Sequence, residues 1–300
     1  MSYISAKEAA EKWGISKRMV YKYCTLNRIP DAFFEYGVWF IPEDAEKPSE
    51  QKKYVAPLPP LLKTLLKQRD GKQYRGLYNY VQINMVYSNG CMASNRLSRD
   101  QIEVLYKTDR IVTNKEPIKV NDIIEARNHF LAVDMILSNA MKPLTQSFVT
   151  QLQAQLISDN CRHKRHGAIA TGIRKTNVGS KFGKTTPPKD ISAALSKLFK
   201  EYESQKEIGF REILDLHVKF ERIRPFEDCN GRVGRLLMFK ECLRHNVTPF
   251  ILDDKRRTGY LEGIRQWNVD RSILMDVCID AQMRFEAQIE LQGLLAFKPQ

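Results

Sequence analysis

Apolar side chains recur at three- and four-residue spacing along most of the chain, which is the pattern of helices that bury one face. The segments with this spacing begin near Asp100, Val120, Ser147, Asp190, Phe210 and Val233. No repeat or low-complexity tract interrupts them. We therefore predict a mainly α-helical unit over residues 81–295.

The first fifty residues follow a different pattern, with short elements and a hairpin signal. Ser5 and Glu8 stand at the spacing of a capping box, so a helix should begin at once and end near Gly14. Ser16 can cap a second helix, and the aromatic and β-branched run over 33–42 is typical of a short hairpin. The sequence predicts two helices joined by a glycine turn and followed by two strands.

This N-terminal pattern resembles the small winged helix-turn-helix modules of excisionase and MerR-like proteins. The resemblance covers residues 1–48 and is carried by Tyr3-Ile4-Ser5, Trp13-Gly14-Ile15-Ser16, Arg28-Ile29-Pro30 and Trp39-Phe40-Ile41-Pro42. It implies DNA as a partner of the second helix, with contacts from Lys17, Arg18, Tyr21, Lys22 and Arg28. The alternative is that these side chains form a solvated face. Because so small a module binds DNA weakly alone, we expect a homodimer or a second contact.

The segment over 49–80 is expected to join the two units. Its first part is rich in Glu, Lys, Gln and Pro and has no periodicity, so we interpret the segment as a linker that leads into a connecting helix.

Composition narrows the class of protein. The 300 residues carry a formal charge of +13 and 43% hydrophobic residues, which suits a sizeable core and a polyanionic partner such as DNA, a nucleotide or an acidic protein. The six cysteines lack the spacing of a zinc site or a disulfide-rich domain, and no apolar run reaches the roughly 20 residues of a membrane span. We expect a soluble, cytoplasmic protein with no membrane partner.

The stretch over 217–235 carries most of the chemical information. Helical spacing ends at Pro225, which cannot continue a helix, and an Asn/Gly-rich loop follows until Arg232 opens the next helix. Such a loop aims backbone amides at one spot, where the helix dipole adds positive potential. The pattern predicts an anion site with Arg232 and Arg235 on one face and Asp228 beside them as a ligand for magnesium. The alternative is a salt-bridged helix start with a turn carboxylate.

The same stretch closely resembles the signature of the Fic (Fido) family, His-Pro-Phe-x-Asp/Glu-Gly-Asn-Gly-Arg-x-x-Arg. The matching residues are Pro225, Phe226, Asp228, Asn230, Gly231, Arg232 and Arg235. Members of this family transfer AMP, or less often another phosphate-containing group, from a nucleotide to a hydroxyl of a target protein. The resemblance therefore implies ATP and magnesium, with the metal on Asp228.

Further roles follow from the same resemblance. Asn230 and Gly231 would cradle the α and β phosphates, and the two arginines would hold the β and γ phosphates. The stretch over 167–188 is similar to the family's flap, a β-hairpin that aligns an unidentified target protein by strand addition, with a helix from Ile191 after it. Tyr260 and Asn268 fall where the family often contacts adenosine, and packing or capping is the alternative for both.

Two signature positions depart from the family. Arg224 replaces the catalytic histidine that removes the proton from the attacking hydroxyl, and Cys229 replaces a glycine of the nucleotide-binding loop. Arginine stays charged near neutral pH, so we expect Arg224 not to act as a base. His217 lies two helical turns away, and His163 and His166 are simplest as members of a solvated turn.

A third departure concerns regulation. Many Fic proteins carry an inhibitory glutamate that pairs with the second arginine of the signature, here Arg235. The stretch over 87–98 is similar to the surroundings of that glutamate, but Ala93 stands at its position and Asn89 at the Ser/Thr position. Internal inhibition of the usual kind is not expected.

Two functions stay open at this point. The first is a protein AMP transferase whose activity is weakened or abolished by Arg224. The second is a DNA-binding transcriptional regulator in which a catalytically silent Fic fold acts as a nucleotide sensor or dimerisation unit.

Overall fold

The computed structural model describes residues 2–25, 28–35, 37–48, 57–73, 75–113, 117–158 and 171–293. Two compact units make up the chain, Met1–Pro57 and Leu58–Gln300. Residues 49–56 and 74 of the expected linker lie outside the described residues, and the domain boundaries given above stay predictions. Within the described ranges, no helix has both the length and the apolar character needed to cross a bilayer.

The N-terminal unit combines two helices with a three-stranded antiparallel sheet. Its elements are β1 Tyr3–Ser5, α1 Ala6–Trp13, α2 Lys17–Thr25, β2 Phe33–Glu35 and β3 Val38–Pro42, with the strand order β1-β3-β2. The predicted capping box is present, because the Glu8 amide donates to Ser5 Oγ and the Ser5 amide donates to the Glu8 carboxylate. Gly14 ends α1 in the left-handed conformation, at φ 63°. The capping box, the glycine turn and the hairpin are thus confirmed.

Three of these elements share one small core. Ala9 of α1, Val20 of α2 and Ile41 of β3 are fully buried against one another. In the hairpin, Phe34 pairs with Trp39 and stays exposed.

The large unit is almost entirely helical, which confirms the mainly α prediction. Its helices are α3 Pro60–Asp70, α4 Leu77–Met92, α5 Arg99–Thr108, α6 Val120–Ser138, α7 Gln146–Ile157, α8 Ile191–Glu203, α9 Phe210–Ile223, α10 Asn230–Arg244, α11 Arg257–Gln266 and α12 Ser272–Leu291. Short 3₁₀ turns at Pro188–Asp190 and Asp254–Arg256 lead into α8 and α11.

Helices α9 and α10 lie between two hydrophobic cores. Leu216 and Phe220 of α9 face the larger core, whereas Ile213 and Val218 of the same helix face the smaller one. Helix α10 buries most of its side chains, including the charged Lys240 and Glu241, which pair with each other. A helix that is enclosed in this way cannot shift easily, so the loop that joins α9 to α10 is held at both ends.

The segment expected to form a β-hairpin flap does not do so in its described part. Residues 167–170 lie outside the described residues, and no strand occurs over 171–187. The buried Arg174 organises this loop instead, because its guanidinium donates to the carbonyls of Thr176 (2.6 Å) and Thr186. One side chain therefore satisfies carbonyls that a strand ladder would pair. The helix expected from Ile191 is present as α8.

Candidate functional site

The loop between α9 and α10 turns sharply at both of its ends. Arg224 caps α9 in the left-handed conformation, at φ 51°, and Cys229 precedes α10 in the same region, at φ 69°. Between them the fully buried Phe226 anchors the loop. Asn230 clamps that anchor, because its Oδ1 accepts from the Phe226 amide at 2.9 Å and its Nδ2 donates to the Phe226 carbonyl at 2.7 Å. Contacts within the protein thus fix the conformation of this loop.

A cavity of about 270 Å³ opens over this loop and the start of α10. Its lining includes nearly all of the site residues predicted from the sequence, namely Ala93, Arg224, Asp228, Cys229, Asn230, Gly231, Arg232, Arg235 and Tyr260. Asn268 is not among the lining residues, because its side chain accepts a hydrogen bond from Arg222 at 2.9 Å. The structure therefore gathers the signature residues at one place and leaves Asn268 outside it.

Positive charge dominates the start of α10. The first turn of α10 itself holds no acidic residue, so no side chain of that turn offsets the helix dipole. Arg232 is held loosely by two carboxylates, Glu125 at 3.5 Å and Asp228 at 3.6 Å. Arg235 donates from Nε to Asn89 Oδ1 and lies 5.9 Å from the ring centre of Tyr260. Both guanidinium groups are thereby placed and keep further donors for an anion.

Arg224 adds a third guanidinium to the cavity. Its buried Nε has no hydrogen-bond partner among the described residues, while its carbonyl accepts from Arg174 Nε at 2.7 Å. An unpaired buried donor is unfavourable, so this group is set up to meet an acceptor that enters the cavity.

Asn230 contributes differently from the role implied by its sequence. Both polar atoms of its side chain bond to Phe226, so its backbone amide is the group best placed to meet a phosphate. Gly231, next in the chain, has no Cβ, and a Cβ there would stand 3.0 Å from Nη1 of Arg235. The glycine therefore leaves room for the arginine at the helix start.

Cys229 occupies a backbone conformation that suits glycine. At φ 69° its Cβ is crowded, which costs roughly 1–2 kcal/mol for most residues. The side chain is packed into the larger core, and burial raises the pKa of its thiol to about 12. Cys229 is therefore a packing residue with a protonated thiol at neutral pH and not a nucleophile.

Asp228 has the surroundings of a residue that can hold magnesium. Its side chain is 47% exposed, with Oδ1 accepting from the Cys229 amide at 2.6 Å and Oδ2 near Arg232. Among the described residues no group of three or more His, Cys, Asp or Glu forms a self-sufficient metal site. Magnesium is commonly held by one or two carboxylates together with substrate phosphates, so this arrangement fits a metal that arrives with a nucleotide.

No histidine of the described residues lines the cavity. His217 is buried beneath it, where Nε2 lies 2.6 Å from the hydroxyl of Tyr260 and desolvation lowers the pKa of the imidazole to about 3. His163 and His166 lie outside the described residues. The described part of the site thus offers no imidazole in reach of a substrate hydroxyl.

Helix α4 supplies the wall opposite the start of α10. Asn89 holds Arg235 through its amide oxygen, and Ala93, just beyond the end of α4, lines the cavity without a carboxylate. The alanine side chain of Ala93 thus stands where the sequence comparison placed the inhibitory glutamate of other Fic proteins.

Several lining residues were not singled out from the sequence. They are Met92, Glu125, Lys181, Phe182, Glu221 and Leu261. Glu221 had a local signal, because it stands at helical spacing from the apolar Leu214 and Val218, three positions before Arg224. Glu125 and Lys181 are distant in sequence, and only the tertiary fold brings them to the cavity.

Comparison with known proteins places this site in a wider group. The Fic/DOC family profile matches residues 143–242. A curated relative, the protein adenylyltransferase Fic of Nematostella vectensis, is 22% identical over 188 residues, covering 61% of this chain and 42% of the relative. The chain thus spans about two fifths of the length of that relative.

Two solved structures share the fold. A Fic domain-containing signaling protein from Bacteroides thetaiotaomicron superposes with a TM-score of 0.60 at 19% identity, covering 77% of this chain and 94% of its own. Fic-1 from C. elegans, residues 134–508, gives a TM-score of 0.60 at 16% identity, covering 78% and 72%. The span that the profile matches includes Arg232, Arg235 and the loop between α9 and α10. Residues 143–242 thus match the Fic/DOC family, and the chain shares the fold of these two Fic proteins over about three quarters of its length.

Proposed function

We propose that the large unit binds ATP with magnesium in this cavity, as a protein AMP transferase site whose transfer step is weak or absent. This proposal rests mainly on one observation. Three guanidinium groups and the start of α10 line the same cavity, and no histidine of the described residues lines it. The name of the curated relative supports adenylyl transfer as the ancestral chemistry.

The binding roles follow from what each group offers. Backbone amides of Asn230 and Gly231 would donate to the α and β phosphates, and Arg232 and Arg235 would hold the β and γ phosphates. Asp228 would hold the magnesium ion, which neutralises phosphate charge when bound. Tyr260 supports this arrangement from below, since it carries Arg235 on its ring and is bonded to a buried histidine.

The transfer step itself lacks a proton acceptor. A protein hydroxyl oxygen would attack the α-phosphorus, the bond to the bridging β-phosphate oxygen would break, and pyrophosphate would leave. The hydroxyl proton must go to a base, and the guanidinium of Arg224 has no free lone pair for it. Losing a positioned general base costs roughly 10²–10⁴ in rate, whereas the added positive charge favours nucleotide binding.

Titration calorimetry with ATP and magnesium tests the binding half of the proposal. We expect heat of binding for the natural chain, reduced strongly in Arg235→Ala. The absence of heat at millimolar nucleotide would overturn nucleotide binding at this site.

Transfer of label from α-labelled ATP to proteins of a lysate tests the second half. Arg224→His should raise transfer by about 10²-fold or more, and the matched variant Arg224→Lys, which keeps the charge but restores no base, should not. If Arg224→His binds ATP and labels neither itself nor any lysate protein, the transferase proposal fails.

The loop over 171–187 is the proposed contact for the target protein, because it carries the lining residues Lys181 and Phe182.

A second candidate function is specific to the N-terminal unit. We infer that it is a winged helix-turn-helix module that binds DNA in the cytoplasm, with α2 as the recognition helix and the β2–β3 hairpin as the wing. Its support is the exposure of Lys17, Arg18 and Lys22 on one face of α2, a helix without any acidic residue, while Val20 is buried. Tyr21 lies beneath Lys17 at 5.6 Å, and Arg28 lies 4.9 Å from the ring centre of Tyr23.

An electrophoretic shift on the DNA upstream of the coding sequence tests this inference. Lys17→Ala with Arg18→Ala should weaken the shift strongly and reduce the dependence of the remaining binding on salt. The matched control is Lys197→Ala with Lys200→Ala, which removes the same charge from the exposed face of α8. Equal loss of binding in both variants would show attraction by net charge alone. A complex with two chains per site would support the predicted homodimer.

A further inference from the structure

A buried carboxyl group lines the cavity and has no role in the proposed function. Glu221 of α9 is 3% exposed, yet it contributes to the lining. Its Oε1 has no hydrogen-bond partner among the described residues. Buried polar atoms are nearly always bonded, so an unbonded one at a cavity indicates a group that arrives there.

The position of this carboxyl group is set by two glycines of α10. Oε1 lies 3.7 Å from the point where a Cβ on Gly231 would stand, and 2.9 Å from the corresponding point at Gly234. Nη1 of Arg235 lies 3.0 Å from that first point. The carboxyl group therefore abuts the first turn of α10, whose amides and arginine form the proposed phosphate site.

Every element around Glu221 brings a group that bears on its charge. Its own helix carries Arg224 one turn later and the neutral, buried His217 one turn earlier. Arg235 approaches from α10 and Tyr260 from α11. Burial raises the pKa of Glu221, and the two arginines act in the opposite direction.

Phosphate in the cavity would change this balance. A bound phosphate engages the arginines and removes the attraction that favours an ionised Glu221. It also repels a carboxylate directly, since both are anions in a region of low dielectric. The neutral acid, in contrast, offers an O–H donor to a phosphate oxygen.

We propose that Glu221 contacts the bound nucleotide as a neutral carboxylic acid and donates a hydrogen bond to a phosphate oxygen. This proposal rests on the proposed function, because it requires that a nucleotide occupies the cavity. Above the pKa of Glu221 in the free protein, one proton passes from a buffer acid to a carboxylate oxygen of Glu221 when the nucleotide binds; below that pKa the acid is already neutral and no proton is taken up. Nucleotide affinity is then highest below the pKa of Glu221 in the free protein and falls as the pH rises above it.

The test is the number of protons taken up on binding. The full chain is titrated with ATP and magnesium at several pH values from mildly acidic to mildly alkaline, each time in two buffers whose ionisation enthalpies differ, such as PIPES and Tris, and the difference in heat gives the proton count. Glu221→Gln keeps the shape and an N–H donor but cannot titrate. We expect the natural chain to take up as much as about one proton more than Glu221→Gln, with an affinity that falls by up to about tenfold per pH unit relative to that variant. Glu207→Gln, a change at an exposed glutamate, should match the natural chain.

Equal proton uptake in the natural chain and Glu221→Gln would overturn the proposal, because the nucleotide's own protonation is common to both. Infrared difference spectra of the natural chain provide a second measurement that does not depend on a variant folding. At a pH above the pKa of Glu221 in the free protein, addition of ATP should produce the carbonyl band of a protonated carboxylic acid, and its absence at every pH also overturns the proposal. Binding without proton uptake refutes only the role of Glu221, whereas no binding at all refutes the proposed function together with it.

Discussion

Arg174→Ala is expected to release the loop over 171–187 while the helices stay folded. In the natural chain the guanidinium donates to three carbonyls, those of Arg224 at 2.7 Å, Thr176 at 2.6 Å and Thr186. Hydrogen bonds to a charged group contribute about 1.5–3 kcal/mol each and are not additive, so a loss on the order of 3 kcal/mol is a conservative figure. A change of that size raises the open population of the loop by about a hundredfold.

Amide hydrogen exchange and cleavage after lysine measure this opening. Lys175, Lys181 and Lys184 are exposed in the loop and supply the cleavage sites. Arg174→Ala should exchange and be cut far faster there, with exchange in α9 and α10 unchanged. Lys175→Ala is the matched control, since its side chain lies next in the chain and is exposed; cleavage is compared at Lys181 and Lys184, which both variants keep. Unchanged protection of the loop in Arg174→Ala would refute the idea that one side chain organises it.

Three further predictions concern the cavity. Gly234→Ala should lower the melting temperature by several degrees in a thermal scan, because its Cβ would stand 2.9 Å from Cε1 of His217 and overpacking costs roughly 1–3 kcal/mol. An unchanged melting temperature would show that α9 and α10 can separate freely. Asp228→Asn should remove most of the gain in ATP affinity that magnesium gives, measured by calorimetry with and without a chelator, and an unchanged gain would place the metal elsewhere. Asn89→Asp should weaken ATP binding by about tenfold or more, because a carboxylate on Arg235 would compete with phosphate, whereas Asn89→Ala should weaken it less; equal affinities of Asn89→Asp and the natural chain would argue against Arg235 as a phosphate ligand.

The local structure of the signature segment was accessible from the sequence. The helix before Pro225 does end at Ile223, and the two arginines do lie within the first two turns of the next helix. Helix α10 begins at Asn230, two residues before the expected Arg232, because the Asn230 side chain bonds back to the loop and allows the helix to start early. Short-range spacing and backbone rules were sufficient here.

Longer-range features were not accessible in this way. The loop expected to form a hairpin is governed by Arg174, whose partners lie as far as fifty positions away. The same holds for Asn89, which meets Arg235 across 146 positions. An asparagine is a common ligand contact, but the side chain of Asn268 bonds to Arg222 and does not line the cavity. Such pairings depend on how helices pack, and spacing along the chain carries little information about them.

The bridge between Asn230 and Phe226 changes what a signature of this kind means. Phe226 fills a core, Asn230 ties a turn, and Gly234 lets two helices touch. Because each residue supports the fold, a protein without any activity would still keep all three. The presence of these residues in another protein therefore indicates that the fold is kept, and does not by itself indicate activity. Whether that protein can still transfer a group depends on positions outside this framework, above all the one that directly follows α9.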